Sequence, residues 1–358
     1  MLLTTRPSID DAERFLVVRL GAIGDCLRVL PAVRRLRLER PESQIAWVVE
    51  HWVHPVLAGN PNIDRFHILD RRALSGGRRA ALSEMGRLLR EIRGQSYDVA
   101  LDFHGRLKSG VITRLSGARH RIGFARGDAS ELNHLFTNRH VALKDHWESR
   151  VLRFLHLLGP LGIGADFDPD ETGVYVDKEV MEKARSWYQQ AGRAALAVYP
   201  GTSQVRSRER WPIEKWAGLL QSLGRRAIAS TVFWGPDDAE LACTLASRGG
   251  EACRLAPATT LAEMMAMIAC HQAFVGADTA AMHMAWLQGV PTALFSGPRP
   301  LRTDAPLPPV PWRGLVAAQH YREGLKPSRQ SLKTVSEVGI EQAAQAVHEL
   351  LGRTEESE

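Results

Sequence analysis

Three short stretches place chemistry-bearing side chains next to glycines. The first, Gly21-Ala22-Ile23-Gly24-Asp25, follows the apolar run Phe15–Leu20 and reads as a tight turn. Its two glycines let a ligand approach the backbone closely, and a helix beginning behind them favours negative charge. The spacing is G-x-x-G, not the G-x-G-x-x-G of a dinucleotide loop, so hydride transfer on NAD has little support. Asp25, taken with this loop alone, reads as a plain helix N-cap. The second stretch, Tyr199–Trp211, reads YPGTSQVRSRERW. Thr202 and Ser203 offer hydroxyls where a strand opens into a loop, and Arg206, Arg208 and Arg210 offer forked cations suited to a diphosphate. The third, Gly276–Ala285, reads GADTAAMHMA, with Asp278 and Thr279 before a helix of small residues that starts near Ala280. Such a helix start could donate N–H groups to a phosphate, and His283 falls one turn in. Metal chemistry has little support: His51-Trp52-Val53-His54 has the wrong spacing for a ligand pair. No G-x-S-x-G elbow and no Walker loop is present.

The elements that must carry these loops alternate strand and helix. Phe15–Leu20, Ile45–Val49, Phe66–Leu69 and Asp98–Asp102 read as buried strands. Cys26–Glu39 and Leu82–Ile92 have helical apolar spacing, with Pro31 expected to perturb the first turns of the former. The second half repeats the pattern, with strands at Leu196–Tyr199, Thr231–Trp234, Ala273–Gly276 and Pro291–Phe295. Its helices are Pro212–Leu223, Asp237–Ser247, Leu261–Cys270, Thr279–Leu287 and Gly339–Leu351. Alternation of this kind predicts an α/β fold with parallel, doubly wound sheets. A Gly-, Pro- and Asp-rich stretch, Gly159–Gly173, reads as a linker. The expected organisation is residues 1–165, residues 166–338, and a C-terminal helix and tail over 339–358, with two Rossmann-like domains facing across a cleft.

At 358 residues the chain is long enough for two cores, and its 44% hydrophobic and 24% charged shares fit a globular protein. No run of about 18 apolar residues could span a bilayer. The polar start is unlike a secretory signal, and the scattered Cys26, Cys243, Cys253 and Cys270 suit a reducing compartment, so the cytoplasm is expected. Residues 1–165 hold 26 Lys+Arg against 17 Asp+Glu, while the remainder holds 20 against 23. A basic first half suits an anionic partner, whether nucleic acid, phosphorylated glycolipid or membrane surface.

With these loops in view the chain resembles glycosyltransferase family nine, the ADP-heptose:lipopolysaccharide heptosyltransferases. The matching stretches run from Phe15 to about Gly297: Arg19–Pro31, Asp102–Ser109, Asp145–Arg150, Pro200–Pro212, Trp234–Ala242 and Val275–Ala285, in the family's order. The resemblance implies a GT-B type fold and an inverting, metal-independent transfer of heptose from ADP-heptose to a lipopolysaccharide inner-core acceptor. It implies no cofactor beyond the nucleotide diphosphate sugar, an anionic glycolipid acceptor at the inner membrane, and neither nucleic acid nor an obligate protein partner. Asp25 stands at the family's general base. Thr202, Ser203, Arg206, Arg208, Asp278, Thr279, Ala280 and His283 match the donor side, and Glu240 matches the carboxylate expected on the ribose. Gly24, His104, Arg106 and Lys108 fall on the acceptor side. Other readings are transfer of a different activated sugar to an envelope glycan, or a binding homologue that no longer turns over.

One departure bears directly on chemistry. Two residues before Trp211-Pro212 the family usually has lysine, and here that position is Glu209. A carboxylate cannot stabilise a leaving diphosphate, whereas the adjacent Arg208 has the charge and reach to do so. Arg208→Ala is therefore expected to remove about 2–4 kcal/mol of transition-state stabilisation, by analogy with a lost oxyanion donor. Glu209→Lys should leave turnover unchanged or raise it. Turnover of both variants at saturating donor decides the matter: a harmless Arg208→Ala beside a crippling Glu209→Ala would reverse the assignment.

Overall fold

The computed structural model describes residues 8–202, 210–297, 300–317 and 335–352. The chain divides into two compact units, Met1–Tyr175 and Val176–Glu358.

In the first unit the order is β1 (Arg14–Val18), α1 (Ile23–Glu39), β2 (Gln44–Glu50), α2 (His54–Leu57), β3 (Arg65–Leu69), α3 (Arg71–Ser75) and α4 (Arg78–Arg93). There follow β4 (Val99–Asp102), α5 (Leu107–Leu115), β5 (His120–Phe124), β6 (Arg139–Val141) and α6 (Arg150–His156). The six strands form one parallel sheet in the order β3-β2-β1-β4-β5-β6. β1 lies in the middle, with Val18 paired to Val48 on one side and Asp102 on the other. A central parallel strand is covered on both faces, which is why Phe15, Leu16, Val17 and Val18 form an unbroken apolar run with no exposure.

The second unit runs α7 (Lys178–Ala191), β7 (Leu196–Tyr199), α8 (Ile213–Arg225), β8 (Ser230–Val232), α9 (Ala239–Arg248), β9 (Cys253–Leu255) and α10 (Leu261–Ile268). It ends with β10 (Ala273–Ala277), α11 (Ala280–Trp286), β11 (Thr292–Phe295), β12 (Trp312–Leu315) and α12 (Ile340–Leu350). Its parallel sheet has the order β12-β11-β10-β7-β8-β9, the same winding as the first. Trp211, Trp216 and Phe295 stack in its core with centroids 4.7–5.1 Å apart. α12 packs on α8 at Gly218, where any Cβ would meet Ile340 at 2.8 Å.

Two expectations need correction. The turn after β1 is shorter than read: α1 begins at Ile23 with Ala22 as its N-cap, so Gly24 and Asp25 are helical. Pro31 consequently sits mid-helix, and α1 runs on through it. One lost backbone bond is offset by the burial of Leu27, Leu30, Val33 and Leu36 on either side. The strands that periodicity did not reveal, β5, β6, β9 and β12, include three of the four sheet edges. Those three, β6, β9 and β12, are three or four residues long and partly exposed, so they carry no apolar run.

Gly173 ties the end of the first unit to its core. Its carbonyl accepts from Asn60 Nδ2 at 2.8 Å, and its φ is +72° with Leu30 O only 2.6 Å from where a Cβ would stand. Gly173→Ala meets both a left-handed backbone and a carbonyl that cannot retreat. It should destabilise the first unit by about 2 kcal/mol, read as a lower urea midpoint.

Candidate active site

In an open parallel sheet, ligands bind beyond the carboxyl ends of the strands where the order reverses. In the first unit that point lies between β1 and β4. Arg19 leaves β1 into the protein interior: its carbonyl accepts from Trp47 Nε1 at 2.9 Å, and its Nη1 donates to Phe103 O at 2.9 Å. This fixes the guanidinium so that Nη2 pairs with Asp25 Oδ2. Arg28, one turn further along α1, reaches Asp25 Oδ1 at 2.5 Å, and Arg150 at the start of α6 reaches the same oxygen at 3.3 Å. Asp25 is thus not the N-cap but a carboxylate held by three guanidinium groups, which favour its charged form. Its side chain keeps 19% exposure, leaving an edge for a ligand.

The loop after β4 is built on Asp102. This fully buried carboxylate accepts from the N–H groups of His104 and Gly105, each at 3.0 Å, from Ser109 Oγ at 3.0 Å and from Asn133 Nδ2 at 2.7 Å. Burial pushes its pKa above the usual carboxylate value, with the four donors opposing. The loop so held aims His104 Nδ1 at the Leu20 N–H, 3.4 Å away. Burial, helped by the Arg19 and Arg106 charges, pushes His104 down from 6.5 to about 4. It is neutral at physiological pH, with its proton assigned to Nε2 because Nδ1 accepts.

At the second unit's reversal, between β7 and β10, Arg210 clamps the loop after β7. Its Nε donates to Thr202 Oγ1 and its Nη2 to Thr202 O, each at 3.1 Å, while Nη2 also pairs with Asp238 at 2.8 Å. Tyr199 OH donates to the other Asp238 oxygen at 3.3 Å. Gly201 leaves no room for a side chain there, since a Cβ would stand 2.1 Å from that oxygen. After β10, Asp278 lies 3.3 Å from His283 Nε2, and Trp286 Nε1 donates to His283 Nδ1 at 2.9 Å. The histidine is 1% exposed, and the indole N–H of Trp286 satisfies its Nδ1.

Residues 85–335 match the family model described as glycosyltransferase family 9 (heptosyltransferase). The chain belongs to glycosyltransferase family 9. It is 28% identical over 290 residues to lipopolysaccharide heptosyltransferase 1 of Pseudomonas aeruginosa, covering 80% of this chain and 79% of that one. Lipopolysaccharide heptosyltransferase 2 of Escherichia coli K12 is 26% identical over 299 residues, 80% and 83% of the two chains. Among solved structures, a family 9 glycosyl transferase from Veillonella parvula superposes with a TM-score of 0.77 at 20% identity, covering 95% and 97%. Escherichia coli heptosyltransferase WaaC with ADP-2-deoxy-2-fluoro heptose gives 0.73 at 21%, covering 94% and 99%. The fold is of GT-B type, and the protein is a glycosyltransferase.

In this glycosyltransferase the first reversal point gathers Gly24, Asp25 and His104. The cations that the sequence suggested for an acceptor are engaged with acids. Lys108 Nζ pairs with Glu50 at 2.9 Å, and Arg106 lies 3.8 Å from Glu131. Glu50 is buried, which by itself would raise its pKa, yet hydrogen bonds from Trp52 and Lys108 and the Arg71 charge hold it below the ordinary value. In the second unit Thr202, Asp278, Thr279, Ala280 and His283 follow the two neighbouring strands, β7 and β10, though α11 is only seven residues long. Glu240 sits in the exposed first turn of α9, while the buried carboxylate there is Asp238. Ser203, Arg206 and Arg208, with Glu209, lie outside the described residues. Among the described residues no group of three or more His, Cys, Asp or Glu is arranged to hold a metal ion.

Sequence reasoning passed over Arg19, Arg28, Asp102 and Arg150. Two of them left a signal. Arg28 stands three residues after Asp25, on the same helix face, and Arg19 is a charge at the end of an apolar strand.

Because His104 titrates lower in the fold than in the unfolded chain, the unfolded state binds more protons below about pH 6.5. Its effect is absent above that value and grows as pH falls towards about 4, to roughly 2–3 kcal/mol of lost stability. His104→Gln cannot titrate, so its unfolding midpoint should fall less than the wild type's between about pH 7 and pH 4.5. Parallel curves for the two proteins would show that His104 is not buried as described.

Proposed function

We propose that this glycosyltransferase moves a heptose from ADP-heptose onto a lipopolysaccharide inner-core acceptor, with inversion and without a bound metal. Support comes from membership of the heptosyltransferase family, from lipopolysaccharide heptosyltransferase relatives, and from the likeness to a heptosyltransferase solved with a fluorinated ADP-heptose. The observation that carries the reading is the Asp25 carboxylate, oriented by Arg19, Arg28 and Arg150 at the first unit's reversal point.

An alcohol is a weak nucleophile until its proton has somewhere to go. As the acceptor oxygen bonds to the anomeric carbon, its O–H becomes strongly acidic, so a carboxylate stabilised by cations is still basic enough to take the proton. Attack from the face opposite the diphosphate inverts the centre. The leaving diphosphate carries away the bonding pair and needs cationic or N–H partners, which Arg206 and Arg208 would supply. Thr202, Asp278, Thr279, Ala280 and His283 would hold the donor, with Glu240 on its ribose, and Gly24, His104, Arg106 and Lys108 would face the acceptor. The reading includes a cytoplasmic protein at the inner face of the membrane. No helix among the described residues is long and apolar enough to cross it. Glu209, where relatives usually have lysine, favours a second reading: a homologue that binds nucleotide sugar or glycolipid without turnover.

Incubation with ADP-heptose and a heptose-free truncated core, followed by mass spectrometry, should show one heptosyl unit added, undiminished by EDTA. Asp25→Asn should lower turnover by about 10²–10⁴-fold while leaving the affinity for ADP nearly unchanged. Binding of ADP-heptose with no product from the wild type would establish the second reading, and full turnover in Asp25→Asn would remove Asp25 from the chemistry.

A further inference from the structure

Large apolar side chains left in water ask for an explanation when they gather in one place. Among the described residues those most exposed are Leu38, Leu82, Leu107, Leu132 and Leu135, and the last three belong together. Leu132 and Leu135 are 63% and 66% exposed and stand one tight turn apart, the Leu135 N–H donating to Leu132 O at 3.0 Å. Leu107, 47% exposed, opens α5 beside them, with its N–H donating to Glu131 Oε2 at 3.2 Å. This loop is firmly held. Ser130 N–H donates to Gly105 O at 2.9 Å, and the buried Asn133 donates to Asp102 and, at 2.8 Å, to Arg106 O. Glu131 and Leu132 keep left-handed backbones, φ 53° and 58°, which are uncommon outside glycine. The fold therefore fixes these leucines outward beside an inward Asn133.

The surroundings are basic. From Gly105 to His140 the sequence has seven Lys and Arg against two acids. Of those acids, Glu131 faces Arg106, and Asp128 is engaged by the Leu143 N–H and His146. Arg114 lies two turns along α5 from Leu107, on the same face. Arg114 and Arg126 are exposed and carry no ion pair among the described residues. A small apolar tip within a cationic field matches an anionic bilayer, where leucines enter the headgroup–acyl boundary and arginines lie among phosphates.

We propose that the face bearing Leu107, Leu132 and Leu135 docks the first unit on an anionic lipid bilayer. Each contact alone is weak, so the interaction is reversible and needs both the apolar tip and the charge. The patch also adjoins the loop that carries His104, through Gly105 and Arg106. Under the proposed function, a membrane-anchored acceptor would reach the acceptor-side residues directly from the docked surface.

The test is co-sedimentation of the full chain with vesicles containing no acceptor and no nucleotide sugar. Vesicles of phosphatidylcholine with phosphatidylglycerol should bind the wild type, and phosphatidylcholine alone should bind it far less. Leu132→Ser combined with Leu135→Ser should weaken binding about tenfold, with circular dichroism and thermal unfolding unchanged. The charge reversal Arg114→Glu with Arg126→Glu should weaken it independently, and added salt should do the same to the wild type. Undiminished binding by both double variants, or no binding by the wild type, overturns the proposal. So does a leucine variant that loses a dimer in light scattering but keeps its vesicle binding, since the face would then meet a second copy. Because no sugar enters the assay, its failure is distinct from a failure of heptose transfer.

Discussion

A carboxylate withdrawn from water must be given donors to replace those it lost, or it destabilises the fold by several kcal/mol. Asp102, with no exposure at all, is given four. Those donors come from the loop after β4, from the first turn of α5 and from the segment before β6. One buried carboxylate thus fixes three otherwise independent pieces of chain. The position of His104 follows from it, as does the start of α5 at Leu107 and the inward turn of Asn133. Removing the carboxylate would strand those donors together.

Around that fixed loop, charge is distributed with more discrimination than the total suggests. The first unit is rich in arginine, yet much of it is engaged internally. Arg19, Arg28 and Arg150 converge on Asp25, Arg37 reaches Asp64, and Arg87 bridges Glu84 and Glu91. Lys108 is turned to the buried Glu50. The three arginines on Asp25 hold its carboxylate in a fixed orientation by charge-assisted contacts. Exposed arginines without an ion pair among the described residues remain on α3 and α4, at Arg72, Arg78, Arg79 and Arg90, and from α5 onward at Arg114 and Arg126.

The second unit solves the same topological problem with different chemistry. Its reversal point has one clamp, Arg210, joining Thr202 to Asp238, and one buried imidazole, His283, set between Asp278 and Trp286. Both are polar constructions at the mouth of an apolar core that includes Trp211, Trp216 and Phe295. Identical strand order in the two sheets places both constructions at the carboxyl ends of central strands, the one place in such sheets where loops from opposite faces meet.

Strand–helix alternation, apolar central strands and the order of six motifs were legible in the sequence because each depends on residues near one another in the chain. FLVV declares a strand covered on both sides, and the stretch from Arg19 to Pro31 declares the loop that follows. What a side chain does among distant partners was not legible. Arg150 meets Asp25 across 125 positions and Lys108 meets Glu50 across 58. No local pattern encodes those meetings. Asp25 read as a helix cap from its own loop and as a base only through the family resemblance, and the start of α1 at Ile23 removed the cap. Asp102 looked like the last residue of a strand, and only its burial revealed that it holds the loop. Local periodicity reports which face of an element is apolar, whereas the charge state and freedom of a polar group depend on what the folded chain brings within a few ångströms of it. That is the physical reason the architecture could be read from the sequence and the electrostatics of the site could not.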